Sequence, residues 1–187
     1  PEKTLNEIGR NFWVHYPKSE PVPEEAAAAL AWARNLWLGP VDDLLDVAVE
    51  YRDGIGRSKD EKLASDLFDR VALSGNARAQ FESFRLNLKF VPGNTENAFS
   101  FFYLREAAGA NYVPALLEAA RRTSEGDLVL QSDYDAYKWY LIAKRHGADV
   151  DTELETLAQH MDPGEIDSAI RSVERGFGYT DLIYIGQ

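Results

Sequence analysis

The sequence contains no cysteine, a single methionine and only three histidines among its 187 residues. Without a thiol there is no disulfide, thiolate zinc site, iron–sulfur cluster or cysteine nucleophile. The compartment stays open, periplasmic or cytoplasmic, because disulfide-free proteins occur in both. No apolar run approaches the ~20 residues that a membrane-spanning helix needs, so membrane insertion is not expected. Positive charge is also scarce, with 20 Lys+Arg against 31 Asp+Glu and a formal net charge of -11. Such a chain repels nucleic-acid backbones and anionic lipid, and a basic protein partner suits it better. What remains is ordinary globular composition, 45% hydrophobic and 27% charged, enough for a sizeable core in one domain or one short array of repeats. Because the sequence opens on Pro1 rather than Met, an upstream segment of the export-signal kind is expected to precede it.

A repeat is written in the glycines. Gly39, Gly75, Gly109 and Gly147 each follow an alanine by eleven residues (Ala28, Ala64, Ala98, Ala136) and an aromatic by seven (Trp32, Phe68, Phe102, Tyr140). The position eight before each glycine is apolar as well: Ala31, Leu67, Phe101 and Trp139. The glycines are spaced by 36, 34 and 38 residues, the period of stacked helical hairpins. Offsets of three, four and eleven fall on one stripe of a 3.6-residue helix, so each segment predicts an amphipathic helix, here a B helix. Its alanine lets a neighbouring backbone approach, its aromatics fill the core, and its glycine supplies the left-handed residue that stops it. Apolar-periodic stretches at about 43–53, 79–89 and 115–125 predict the intervening A helices. The A-to-B turns then hold Gly54 and Gly56, Pro92 and Gly93, and Gly126.

The run from Tyr51 through Gly54, Gly56, Asp60 and Ala64, and the run from Asp135 through Tyr140 to Gly147, resemble the Sel-one-like (Sel1-like) repeat, a relative of the tetratricopeptide repeat. Asn94 and Ser132 stand at that family's aspartate position in the second and third units. The resemblance implies an all-α, short α-solenoid of antiparallel helix pairs forming a single domain over 1–187. Its expected divisions are an N-terminal helix and Pro-rich linker (1–23), repeats (24–149), a C-terminal capping pair (150–175) and an apolar tail (176–187). It also implies a bacterial, non-enzymatic protein-binding role of the adaptor, envelope-assembly or immunity kind. The capping pair is predicted at 152–161 and 165–175, the second helix started by Asp162 and Pro163. Leu5, Ile8, Phe12 and Trp13 sit at helical spacing, and the tail, with Phe177 and Ile185 among its apolar residues, should pack back on the array or dock on a partner.

A search for chemistry yields little. His15, His146 and His160 have no metal-ligand spacing, and the run Gly54–Lys59 lacks the phosphate-loop pattern and its preceding strand. Adjacent acids such as Asp42 and Asp43, or Glu24 and Glu25, diverge by about 100° on a helix. No serine sits in a nucleophile elbow. No cofactor and no metal is expected, and a hydrolase assembled from scattered Asp, Glu and His is the minor alternative.

Aligning the A helices at a thirty-six-residue offset places Leu45/Phe81/Leu117 and Ala48/Phe84/Ala120 toward the B helices. Opposite runs a stripe of Asp46, Glu50 and Asp53, then Glu82, Leu86 and Lys89, then Glu118, Arg122 and Glu125. The A helices of such solenoids line the concave face, so this stripe is the expected partner-binding groove, with Asp46/Glu82/Glu118 as an acidic column. Aromatics off the repeat pattern, namely Phe90, Tyr112, Tyr134, Tyr137, Tyr179 and Tyr184, are the expected contact residues, since tyrosine contributes strongly at interfaces. The leading functional expectation is a module binding one protein partner, basic or a toxic effector that it neutralises.

Overall fold

The computed structural model describes residues 41–90 and 94–176. Every regular element among them is an α-helix: α1 (Val41–Asp53), α2 (Glu61–Ala72), α3 (Ala77–Phe90), α4 (Asn94–Gly109), α5 (Val113–Glu125), α6 (Asp133–Arg145), α7 (Asp151–Ala158) and α8 (Pro163–Glu174). The N-terminal B helix expected at 24–39, the helix at 1–16, the middle A-to-B turn and the tail from 177 fall outside the described residues.

The chain divides into two compact units, residues 1–71 and 72–187. In the first, α1 buries Leu44, Ala48 and Tyr51, and α2 buries Leu63, Ala64, Leu67, Phe68 and Val71. The Arg52 guanidinium lies 6.0 Å from the centre of the Phe68 ring. In the second, α3 packs on α4, α4 on α5, α5 on α6, and α6 on both α7 and α8. The expected closing pair is therefore built against the last B helix. Arg145 Nη1 donates to the Val173 carbonyl at 3.0 Å, and the Tyr134 hydroxyl meets Ser168 Oγ at 3.3 Å.

Helix ends follow from local chemistry. Asn76 caps α3 by accepting from Ala79 N–H at 3.0 Å, Pro114 opens α5, and Glu165 reaches back to accept from Asp162 N–H at 3.0 Å at the start of α8. Gly75 and Gly147 take the left-handed conformation, φ +85° and +91°. Gly109 does not: α4 runs through it, and Asn111 carries the positive φ of +60° instead. Asparagine tolerates that region through its short polar side chain, so the stop can move two residues.

The first and last A-to-B turns superpose in hydrogen bonding at an offset of seventy-two residues. Glu50 O accepts from Gly54 and Ile55 N–H at 2.8 and 3.1 Å; Arg122 O accepts from Gly126 and, at 3.0 Å, from Asp127 N–H. Asp60 N–H closes on Tyr51 O at 2.9 Å, and Ser132 N–H on Thr123 O at 3.0 Å. Asp60 Oδ1 and Ser132 Oγ then cap the following helices, accepting from Leu63 and Asp135 N–H at 2.9 and 3.1 Å. Gly54 and Gly126 share φ values of +73° and +71°. The second glycine of the first turn, Gly56 at +72°, is matched by Leu128 at +63°.

The core repeats too. Ala64 and Ala136 are fully buried, as are Leu67 and Trp139, and the equivalent A-helix residues Ala48, Phe84 and Ala120 are each equally buried. Of the expected companion column, Phe81 is buried and Leu45 and Leu117 are half-buried, whereas Leu44, Gln80 and Leu116, one residue earlier, are buried throughout. Phe102 departs from its column. Phe68 and Tyr140 are buried, but Phe102 is 42% exposed, with the Arg105 guanidinium 5.4 Å from its ring centre.

Candidate functional site

The outer face of α3 follows from 3.6-residue geometry. Ala79, Gln80, Phe81, Glu82, Ser83, Phe84 and Leu86 are buried and leave one narrow exposed side. Arg78, Arg85 and Lys89, separated by seven and four residues, lie within about 40° of one another on that side, and all three are exposed. This outermost line of α3 is wholly cationic.

The glutamate column lies beside it and beneath it. Glu82 is buried, its side chain 9% exposed, while its partner Arg85 is 57% exposed and pairs with it at 3.3 Å. The Arg85 guanidinium also stands 5.9 Å from the Phe81 ring centre. Thirty-six residues on, the pair recurs: Glu118 is 22% exposed under Arg121 at 39%, with Nη2 to Oε1 at 3.0 Å. Burial pushes the Glu118 carboxyl up, and hydrogen bonds from Arg121 and Arg122 outweigh it, leaving its pKa below the ordinary glutamate value. Arg121 is in turn held above its ordinary value by Glu118 and also pairs with Glu125.

The expected acidic column is thus altered in the second unit. Carboxylates lie low and guanidinium heads reach solvent, because the arginine three residues on is longer and folds over the glutamate. Of the expected stripe, Asp46 and Asp53 on α1 are exposed and Glu50 is half-buried. Glu50 accepts from Arg57 Nε at 2.5 Å and Asp53 from Arg52 Nε at 2.7 Å. Lys89 and Glu125 are exposed, and Leu86 is buried.

Arg122 is not a surface residue. It is buried, its guanidinium 5.2 and 5.4 Å from the ring centres of Phe84 and Phe101, and it pairs with Glu118 at 2.7 Å and Asp127 at 2.8 Å. Arginine stacks on aromatic faces while its planar fork serves two carboxylates, so α3, α4, α5 and the following turn meet at one side chain. The first repeat builds a clasp of opposite polarity, with Glu50 on the helix and Arg57 in the turn.

The contact aromatics divide. Tyr137 is buried and belongs to the core. Tyr112 is half-buried, edge-on to Phe81 at 5.7 Å. Phe90 is half-buried with Lys89 Nζ 5.6 Å from its ring centre, and Tyr134 lies under Lys138 Nζ at 4.7 Å. Lys138 is itself buried and paired with Asp135 at 2.7 Å. Tyr179 and Tyr184 fall outside the described residues.

His146 and His160 are exposed, His160 Nδ1 lying 3.1 Å from Thr156 O, and His15 falls outside the described residues. Among the described residues no three His, Asp or Glu side chains gather to hold a metal ion. The Gly54 and Ile55 N–H groups both donate to Glu50 O, so they are committed to the turn rather than offered to a phosphate. No described helix is long and apolar enough to cross a membrane.

Charge is segregated along the chain. Residues 72–147 hold eight acids and nine Lys or Arg, a net of +1, whereas residues 148–176 hold eight acids against Arg171 and Arg175, a net of −6. Arg78, Arg85 and Arg121 were not among the expected site residues. The signal for two of them was available, since the alignment that finds Glu82/Glu118 also gives Arg85/Arg121 one helical turn later.

No family model matches the sequence, and no curated protein matches it. Among solved structures, the crystal structure of a Sel1 repeat protein from Oxalobacter formigenes matches 95% of this chain and 74% of that chain, with a TM-score of 0.58 at 17% identity. At that identity the likeness speaks for the fold, and it agrees with the helix pairs and glycine-closed turns found residue by residue: the chain has the Sel1-like repeat fold.

Proposed function

We propose that the chain is a non-enzymatic protein-binding module. The observation that carries this reading is a contrast between interior and surface. Equivalent inner positions of the repeats, Ala48, Phe84 and Ala120, are each buried, and the turn hydrogen bonds are reproduced within 0.1–0.2 Å. Their outermost A-helix position changes sign from copy to copy, Asp53, Lys89, Glu125. A repeated scaffold whose outermost position changes charge from copy to copy supports recognition of one partner, because complementary charge sets encounter and register. The step from fold to function is by analogy with helical-repeat scaffolds.

Within this class the narrower reading is an immunity protein that neutralises a secreted toxic effector. Its support is the net charge of −11, which would speed encounter with a basic effector. Affinity capture from the native cell with mass spectrometry tests the module. Expression of the captured partner alone and together with this chain tests the narrower role: a partner toxic alone and harmless in company supports immunity, and a harmless partner leaves a general adaptor or assembly scaffold. Recovery of no specific partner would contradict the module itself.

A further inference from the structure

We propose that the outer face of α3 docks an extended acidic segment of a partner protein. The inference rests on the protein-binding reading and names its surface and the sign of its ligand. The cationic line Arg78–Arg85–Lys89 runs along the exposed side of α3, between the buried Phe81 and Glu82. The one carboxylate on this helix, Glu82, is buried beneath Arg85 and does not present a competing anion to solvent. α3 carries a net of +2, from three cations and one acid, in a chain of net charge -11.

Local sign decides what docks, because at physiological salt charges beyond about 8 Å are screened. Phe81, against which the Arg85 guanidinium rests, is buried and holds that head group in place. The helical rise places Arg85 about 10 Å from Arg78 and Lys89 about 6 Å further on. In an extended peptide rising ~3.3 Å per residue, side chains share a face only at alternate positions, so carboxylates at positions 1, 5 and 7, about 13 and 7 Å apart, come within reach of these long side chains. Bidentate pairing of guanidinium with carboxylate suits the two arginine positions.

The test uses the full chain and a fluorescein-labelled peptide with glutamate at positions 1, 5 and 7 of its central segment, alongside the same peptide carrying glutamine. Anisotropy should show the glutamate peptide binding about tenfold more tightly, with the advantage shrinking as salt rises. Arg78→Ser with Lys89→Ser should reduce it to the level of the glutamine peptide while the helical circular dichroism is kept. Independently of any variant, amide NMR shifts of the wild-type chain should change on α3. Equal affinity for the two peptides, or shifts confined to other helices, overturns the proposal. If the double variant still captures the cellular partner as well as the wild type, the α3 assignment falls while the protein-binding reading stands.

Discussion

Leu128 holds the left-handed backbone conformation that Gly56 holds seventy-two residues earlier, φ +63° against +72°. A β-carbon in that region costs on the order of 1–2 kcal/mol, and glycine avoids the cost. Leu128→Gly should therefore stay within about 0.5 kcal/mol of the wild type, the relief of strain offsetting the loss of a half-buried side chain and the added freedom of the unfolded chain. Gly56→Ala, with open space around the added carbon, should cost only the backbone strain; Gly54→Ala should cost more, since its β-carbon would meet Lys59 Cβ at 3.2 Å. Denaturant unfolding of the three variants checks this, and a Leu128→Gly destabilised beyond that range would count against the matched turns.

The buried alanine column gives a second expectation. Ala136→Phe should overpack the contact of α6 with its neighbours and cost roughly 1–3 kcal/mol, while Ala110→Phe, at an exposed turn, should stay within about 0.5 kcal/mol. Thermal melts of the pair would show it, and equal losses would contradict the assignment of Ala136 to the repeat core.

What the sequence made legible was the repeated interior. Gly75, Gly147, Ala64 and Ala136 are recognisable because a left-handed stop and a close helix approach each admit few residue types. The cap position was legible as well, since Asp60 and Ser132 satisfy the same backbone donors. Less legible was which residue of a shared stripe reaches water. Glu82 and Arg85 lie on one face, and only the folded packing shows the longer side chain covering the shorter. Arg122 has a groove-facing residue type by pattern, yet two aromatic rings from neighbouring helices enclose it. Phe102 repeats Phe68 and Tyr140 in sequence without repeating their burial, because a period says nothing of what surrounds each copy.

Arg122 should behave as a structural tie. Arg122→Ala removes the cation between Glu118 and Asp127 and opens space beside Phe84 and Phe101, with an expected cost of about 2–4 kcal/mol. Arg122→Lys should recover less than half of that loss, since an ammonium cannot serve both carboxylates and stack. Urea unfolding midpoints distinguish these outcomes from a surface residue, for which all three proteins would unfold alike.

Acid should act partly through Glu118. Its carboxyl is depressed in the folded state, so its contribution is present above the unfolded-state pKa and is lost as pH falls through the lower folded value. The stability difference between the wild type and Glu118→Gln should be largest at neutral pH and should narrow below about pH 4. A difference constant from pH 7 to 3 would show that the two arginine contacts leave the carboxyl unshifted.

Hydrogen–deuterium exchange of the chain with and without its captured partner tests the central claim, that the A-helix surface is the recognition face. The account predicts slowed exchange in peptides covering α3 and α5, with the turns at Gly75 and Gly147 unchanged. Protection confined to α7 and α8, with α3 and α5 exchanging as in the free chain, would contradict it.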